Sequence, residues 1–142
     1  IIIKKIKTIN LWFKKNLNKK PKIAILGLNP HNSEMTNSSE EVKIILPAIN
    51  KLKKLKINVY GPYVADTIFI NDYKKYDVVV GMFHDQVLAP FKSIFKYEAI
   101  NLTLGLKYIR VSPDHGTAKD IIGKNKANSF SLTKCLSFVS KF

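Results

Sequence analysis

The sequence predicts an α/β fold in which a mixed or mainly parallel sheet is flanked by helices. Apolar residues recur at helical spacing near both ends of the chain, and short β-branched runs lie between them. Polar residues cluster directly after several of these runs. In open α/β sheets the carboxyl ends of the strands bind ligands, so this pattern also indicates where a site would lie.

The first helix is predicted from the apolar residues at positions 2, 6, 9, 13 and 17, which recur at helical spacing with lysines between them. It is expected to end near Lys20 and Pro21. Residues 22–28 form a short apolar run that is closed by Asn29 and Pro30. This run predicts a buried strand that leads into a polar loop.

A second helix is predicted over residues 39–55, with Ser38 and Glu41 as its capping box and with Pro47 as an internal kink. A second strand is predicted at residues 57–60 and is expected to break at Gly61 and Pro62. Further strands are predicted at residues 77–83, 100–104 and 108–111, and a last amphipathic helix at residues 129–140.

The chain of 142 residues carries a net charge of +14, which raises the question of a nucleic-acid partner. Of its 24 basic residues only Arg110 is an arginine, so 24 − 1 = 23 are lysines. Phosphate-binding surfaces favour arginine, whose planar guanidinium binds two oxygens at once, so the composition argues against a dedicated nucleic-acid role. It also singles out Arg110 as a position where lysine would not serve.

The single cysteine, Cys135, excludes an internal disulfide and fits a reducing, cytoplasmic location. No apolar run approaches the length of a membrane span, so no membrane partner is expected.

All three histidines follow predicted strands. His31 follows the first, His84 with Asp85 follows the strand at residues 77–83, and His115 follows the last. Histidine and aspartate at strand ends are common ligands of divalent metals, although a single histidine is more often structural.

Lys92 and Arg110 are candidate anchors for an anion, with a solvated surface position or a surface ion pair as the alternative. The segment at residues 115–120 combines a glycine, a hydroxyl and the acid Asp120, which suits a loop around a nucleotide ribose. Composition and spacing alone stop at an α/β ligand-binding or enzyme domain.

Four segments, in this order, resemble signatures of the 4-hydroxythreonine-4-phosphate dehydrogenase family of vitamin B6 synthesis. They are residues 25–31 (ILGLNPH), residues 61–67 (GPYVADT), residues 83–92 (FHDQVLAPFK) and residues 101–118 (NLTLGLKYIRVSPDHGTA). The last also resembles a loop of isocitrate and isopropylmalate dehydrogenases. The resemblance implies the three-layer α/β fold of those enzymes, with residues 1–142 as the C-terminal portion and the N-terminal half absent.

The resemblance also implies a role for each matching residue. His31 and His84 match two of three histidines that bind a divalent metal (Zn, Mg, Mn or Co), and the third histidine belongs to the absent half. The substrate phosphate is expected at Lys92, Asn101 and Arg110. The adenosine end of NAD or NADP is expected at His115, Gly116, Thr117, Ala118 and Asp120.

The implied activity is the NAD(P)-dependent oxidation of 4-phosphohydroxythreonine to a β-keto acid, which decarboxylates to an amino-ketone phosphate. Asp85 is the candidate general base, or else it orients the metal ligand beside it. A homodimer with shared active sites is implied as well. The alternatives are a paralogue that oxidises another phosphorylated hydroxy acid, a truncated remnant without activity, and a basic nucleic-acid-binding protein.

Overall fold

The structure, a computed structural model, describes residues 1–30 and 36–142. The chain divides into two compact units, residues 1–90 and 91–142. The main elements of the first unit are α1 (Ile2–Leu17), β1 (Ile23–Leu26), a π-helix (Glu41–Ile45), α2 (Leu46–Lys54), β2 (Val59–Tyr63), α3 (Ala65–Ile68) and β3 (Val78–Val80). Helix α4 (His84–Phe95) begins in the first unit, and the second unit contains β4 (Ile100–Thr103), β5 (Arg110–Pro113) and α5 (Phe130–Val139).

The first unit is built on a parallel three-stranded sheet in the order β2-β1-β3. Every residue of the central strand β1 is buried, as expected for a parallel strand covered on both faces. Because side chains alternate along a strand, Ile23 and Ile25 pack on one side with residues of α1 and α2. On the other side Ala24 and Leu26 pack with Ile68 of α3. Two layers of helices therefore flank this sheet.

Strand β2 continues through Gly61 and Pro62, so the predicted break at these residues is wrong. Instead the pairing with β1 shifts there, because Ala24 faces Tyr60 while Leu26 faces Tyr63. β2 thus contains one extra residue, a β-bulge, which turns the side chains that follow toward the opposite face. Glycine is required at position 61, because φ is +120° and a Cβ atom would collide with the carbonyl oxygen of Ile25.

The predicted second helix also differs from the structure in its start and its winding. The hydroxyl of Ser39, not of Ser38, accepts a hydrogen bond from the N–H of Val42, at 3.4 Å. The chain then forms the π-helix and continues into α2, with Pro47 in the first turn of α2. Pro47 therefore lies inside one continuous helical segment, directly after the winding changes from π to α, and it has no N–H to donate to the preceding turn.

The second unit consists of the antiparallel pair β4–β5, helix α5 and short 3₁₀ turns. Strand β5 begins at Arg110, two residues later than predicted. Helix α5 packs on both strands, and its buried Ser131 donates to the carbonyl of Ala99 at 2.6 Å while accepting from the N–H of Asp114 at 3.1 Å. One hydroxyl thus links the helix to the start of β4 and to the end of β5.

Helix α4 has no counterpart among the sequence predictions, because its interior Pro90 and its polar first turn hide the helical pattern. Within the part of the chain that the structure describes, no helix is both long and apolar enough to span a bilayer.

Candidate functional site

His84 and Asp85 open helix α4, just beyond the carboxyl end of β3. Their side chains are 78% and 84% exposed, and His84 Nδ1 lies 2.7 Å from Asp85 Oδ1. When Nδ1 carries the proton and donates it to the carboxylate, the other ring nitrogen keeps a free lone pair. A histidine oriented by a carboxylate in this way is the usual form of a metal ligand, so the chemistry of this pair fits a divalent cation.

His31, the other predicted metal ligand, lies outside the described residues, but the chain leading toward it is firmly held. The N–H groups of Leu28 and Asn29 both donate to Oε1 of Glu41, at 2.8 Å each. The hydrogen bond from Asn29 is the largest cause that holds the pKa of Glu41 below its usual value of 4.5. Glu41 is only 2% exposed, so a buried carboxylate fixes the loop after β1.

The side chain of Gln86 connects this loop to the one that precedes His84. Its Nε2 donates to the carbonyl of Gly27 at 2.7 Å, and its Oε1 accepts from the N–H of Met82 at 2.7 Å. Beside Gln86 lies an open cleft of about 340 Å³ at this edge of the sheet. Its walls include Pro30, Ala65, Asp66, Phe69, Phe83 and Pro90.

Among residues 1–30 and 36–142, no three His, Cys, Asp or Glu side chains come together as a metal-binding group. His84 is therefore one of the two metal ligands that the sequence predicts in this chain, and His31, the other, lies outside the described residues. The fit to a metal depends on the chemistry of the His84–Asp85 pair.

Two of the three predicted phosphate-binding residues lie on one face of the β4–β5 pair. Asn101 pairs with Ser112, and Thr103 pairs with Arg110. Directly opposite and alternate residues of a ladder share a face, so Asn101 and Arg110 point to the same side. The guanidinium of Arg110 donates to the hydroxyl of Thr103 at 2.9 Å. That face carries a cation and amide and hydroxyl groups, which suits an anionic ligand.

Lys92, the third of these residues, contacts the chain just beyond β5. Its ammonium donates to the carbonyl of Asp114 at 2.8 Å and lies 3.5 Å from Asp114 Oδ2. That carboxylate oxygen is buried and accepts no hydrogen bond within the described chain. Lys92 therefore supports Asp114, the residue from which the His115 loop departs. Asp114 lies two residues along the chain from Ser112, the partner of Asn101.

The predicted cofactor loop lines an open hollow of about 670 Å³ in the second unit. His115, Gly116, Thr117 and Ala118 form part of its wall. Ala118 has a left-handed φ of 45°, and the next residues form a 3₁₀ turn that carries the exposed Asp120. Asp120, the acid that the sequence assigned to a ribose, does not line the hollow, although its neighbours Ala118 and Ile121 do.

The sequence did not identify Gln86, Glu41 or Thr103 as contributors to the site. Each acts through a partner that is distant in the chain or across a strand pair. The available signal was the presence of Gln86 and Thr103 inside two of the resembling segments, which pointed to positions without giving their contacts.

Comparison with known proteins places these features in a family. The family model described as "Pyridoxal phosphate biosynthetic protein PdxA" matches residues 1–139. A 4-hydroxythreonine-4-phosphate dehydrogenase of Sulfurihydrogenibium sp. is 51% identical over 137 residues, which is 95% of this chain and 42% of the relative. A D-threonate 4-phosphate dehydrogenase of Salmonella typhimurium is 45% identical over 80% of this chain and 35% of its own length.

A crystal structure of 4-hydroxythreonine-4-phosphate dehydrogenase from Klebsiella pneumoniae superimposes with a TM-score of 0.81 at 36% identity, covering 96% of this chain and 42% of that one. The predicted α/β fold class and the predicted family resemblance are both confirmed. The chain spans about two fifths of the length of these relatives. It belongs to the PdxA family of pyridoxal phosphate biosynthetic proteins.

Proposed function

We propose that the chain is the C-terminal part of a metal- and NAD(P)-dependent dehydrogenase that oxidises 4-phosphohydroxythreonine in vitamin B6 synthesis. The observation that carries the proposal is the shared face of Asn101 and Arg110 on the β4–β5 pair, in a chain whose relatives are named for a phosphorylated substrate. A guanidinium beside amide and hydroxyl groups can bind two phosphate oxygens at once.

In the proposed reaction, NAD(P), when bound, would supply the acceptor for the hydride that leaves the carbon bearing the secondary alcohol, and the hydroxyl proton would be released. The resulting β-keto acid loses CO2 and leaves an amino-ketone phosphate. Arg110, Asn101 and Lys92 bind the phosphate and so position the reacting carbon. His84, together with His31, would hold a divalent cation, which supplies Lewis acidity when it is bound.

Asp85 has two possible roles in this scheme. Its carboxylate already contacts the imidazole of His84 at 2.7 Å, which favours orientation of the metal ligand over service as a free general base. Asp85 therefore positions the imidazole of His84 in this scheme.

The loop of residues 115–120 is proposed to bind the adenosine end of the cofactor over the hollow of about 670 Å³. Asp120 would accept hydrogen bonds from ribose hydroxyls and repel a 2′-phosphate, so NAD is expected to be preferred over NADP. A higher kcat/KM with NADP would reverse this assignment.

A specific observation favours a second candidate substrate. The relative from Salmonella typhimurium that is 45% identical is named for D-threonate 4-phosphate. Both names describe a phosphate on a short hydroxylated chain, so the same phosphate-binding residues serve either substrate.

We also propose a homodimer with active sites shared between subunits.

The test is a chimera in which this chain replaces the matching C-terminal part of the Sulfurihydrogenibium relative. NADH formation is followed by absorbance with 4-phosphohydroxythreonine and with D-threonate 4-phosphate, in the presence of Zn²⁺ or Mn²⁺. We expect turnover of the first substrate and a dimer by analytical ultracentrifugation. Preferred turnover of the second would assign the chain to the paralogous activity.

The matched control is the same chimera with His84→Ala, which should lose turnover while remaining folded. A folded chimera that binds NAD but oxidises neither substrate would contradict the proposal and would favour a remnant without catalytic function.

A further inference from the structure

We infer that Asp114 is a positioning residue, whose carbonyl and carboxylate hold the ammonium of Lys92 where it can bind a phosphate group. The inference rests on the proposed function, because Lys92 is assigned there to the substrate phosphate. It goes further in naming a residue that orients this cation without binding the ligand itself. Lys92 and Asp114 both belong to the second unit.

Asp114 approaches the ammonium of Lys92 with two of its oxygen atoms. The ammonium donates to the backbone carbonyl of Asp114 at 2.8 Å and forms an ion pair with the carboxylate oxygen Oδ2 at 3.5 Å. Oδ2 is buried and accepts no hydrogen bond within the described residues. Because a buried carboxylate is unfavourable without a nearby opposite charge, its presence favours this position of the Lys92 ammonium.

The backbone of Asp114 is itself held in place, through the hydroxyl of Ser131. Strands β4 and β5 pair up to Ile100 and Pro113, so the next residues in register are Ala99 and Asp114. There the Ser131 hydroxyl accepts from the N–H of Asp114 at 3.1 Å and donates to the carbonyl of Ala99 at 2.6 Å. The carbonyl that receives the ammonium thus belongs to a residue that is fixed at the end of the strand pair.

The Lys92 side chain stays within reach of a ligand. It is 42% exposed, whereas the Asp114 side chain is 17% exposed. An ammonium has three N–H donors, and within the described chain Lys92 uses one of them in a hydrogen bond. The cation is therefore partly open to solvent, while the carboxylate oxygen that attracts it is not.

Fixing a lysine before its ligand arrives should increase its contribution to binding. A free lysine side chain has many rotamers, and an anion that binds it normally has to restrict them. Contacts with Asp114 restrict Lys92 already in the unliganded chain. A carboxylate near an anion also repels that anion, so positioning and direct repulsion by Asp114 have opposite effects on phosphate affinity. An experiment can therefore distinguish them.

The experiment titrates inorganic phosphate into the chain of 142 residues and follows binding by NMR chemical shifts. Asp114→Asn keeps the shape of the side chain and the backbone carbonyl but removes the charge, and it should weaken phosphate binding roughly three-fold. Lys92→Met should weaken binding roughly ten-fold in the wild-type background. When Asp114→Asn is already present, Lys92→Met should weaken it only about two-fold further, because the lysine is no longer held.

A second measurement needs no ligand. The NMR signal of the Lys92 ammonium should show proton exchange with water at least about three times slower than that of Lys134, which forms a looser ion pair in the same unit. Asp114→Asn should abolish this protection. Far-UV circular dichroism and the Tm establish that each variant is folded.

Lys134 and Glu98 supply the matched control cycle. They form an ion pair of 3.8 Å in the second unit, with side chains that are 45% and 64% exposed. Glu98→Gln and Lys134→Met remove the same charges as the two test variants. Each should change phosphate affinity by less than about two-fold, and their effects should add, because neither group is expected at the phosphate site.

The outcomes separate this inference from the proposed function. If Asp114→Asn binds phosphate as tightly as the wild type or more tightly, or if its effect and that of Lys92→Met simply add, Asp114 does not position Lys92 and the inference is wrong. Ammonium protection that survives Asp114→Asn has the same meaning. If neither Lys92→Met nor Arg110→Lys weakens phosphate binding, the phosphate site of the proposed function fails and the inference fails with it.

Discussion

The two units of the chain differ in how they are held together. In the described part of the chain, nearly all fully buried apolar side chains belong to residues 1–90, and the second unit contributes Ala99 and Cys135. The second unit instead exposes many large apolar side chains, among them Tyr97, Tyr108, Ile122, Leu132, Leu136 and Phe142. The first unit is a sheet between two helical layers, whereas the second is a two-stranded pair with one helix.

This difference separates the protein into a part with an extensive buried core and a part with a sparse one. An isolated two-stranded pair is at best marginally stable in water, and large exposed apolar patches mark surfaces that interact. In the first unit, the loop after β1 is fixed by contacts with the buried Glu41 and Gln86, whereas Arg110 in the second unit donates to Thr103 at an exposed position. We therefore expect the first unit to determine stability and the second to respond to ligands.

The largest expected effect is on the core of the first unit. Ile25 is fully buried in β1, and Ile25→Ala should lower the free energy of unfolding by roughly 4 kcal/mol, through lost transfer energy and a cavity. Leu136→Ala on α5, where the side chain is 65% exposed, should change it by no more than about 0.5 kcal/mol. Urea unfolding measures both. If the two variants lose similar amounts of unfolding free energy, packing in the second unit contributes as much to stability as the core of the first unit.

Glu41 tests the buried polar contacts of the first unit. Glu41→Gln weakens two charge-assisted hydrogen bonds, so it should lower the free energy of unfolding, measured in urea at neutral pH, by about 2 kcal/mol. The control Glu40→Gln, at an exposed neighbour, should stay within about 0.5 kcal/mol.

The pH dependence of stability gives a second reading of the same carboxylate. The pKa of Glu41 is lowered in the folded state, so its contribution is fully present above its usual value of 4.5 and is lost as the pH falls through the lower folded value. The wild type should therefore lose more stability than Glu41→Gln below about pH 4.5. If the unfolding free energies of the wild type and of Glu41→Gln change in parallel with pH, the hydrogen bonds from Leu28 and Asn29 do not lower the pKa of Glu41.

Arg110 tests the ligand response of the second unit, in the chimera described above. Arg110→Lys would replace the proposed two-oxygen contact with phosphate by a point charge, so KM for the phosphorylated substrate should rise roughly ten-fold, equivalent to about 1.4 kcal/mol. KM for the nicotinamide cofactor should not change. Lys107→Met, at an exposed lysine between β4 and β5, is the control and should leave both constants unaltered. A wild-type substrate KM in Arg110→Lys would show that the phosphate site is misplaced.

The smallest expected effect concerns a surface contact of the second unit. Lys134 lies 3.8 Å from Glu98 and 5.0 Å from the ring centroid of Phe130, and its side chain is largely exposed. Lys134→Met should change stability by about 0.5 kcal/mol or less, because water and salt screen such pairs. If the free energy of unfolding in urea falls by several times this amount, surface charges make a major contribution to the stability of the second unit.

The sequence predicted those parts of the fold that depend on local periodicity. The first helix was predicted correctly except that it ends at Leu17, about three residues before the predicted end. Strands β1 and β3 lay within their predicted runs, because apolar spacing records which face is buried. Helix α4 was missed, since Pro90 and a charged first turn contradict local helix propensity while tertiary packing of Val87 and burial of Gln86 favour it.

The candidate site also contains residues that the sequence predicted and contacts that it could not predict. The types and positions of His84, Asn101 and Arg110 could be read from the residues and the resemblance. The contact of Gln86 with Gly27, and of Glu41 with Asn29, could not, because both depend on which loops meet in space. The sequence identifies groups that bind ligands more readily than groups that hold those groups in place.

The bulge in β2 has a consequence for how this chain can vary in evolution. Val59 contributes to the core under α1 and α2, while Tyr63 packs on the opposite face and shares a hydrogen bond of 2.5 Å with Tyr76. Removing one residue between them would restore regular pairing and turn Tyr63 toward the wrong layer. At this point, relatives should therefore tolerate a change of residue type more readily than a change in the number of residues.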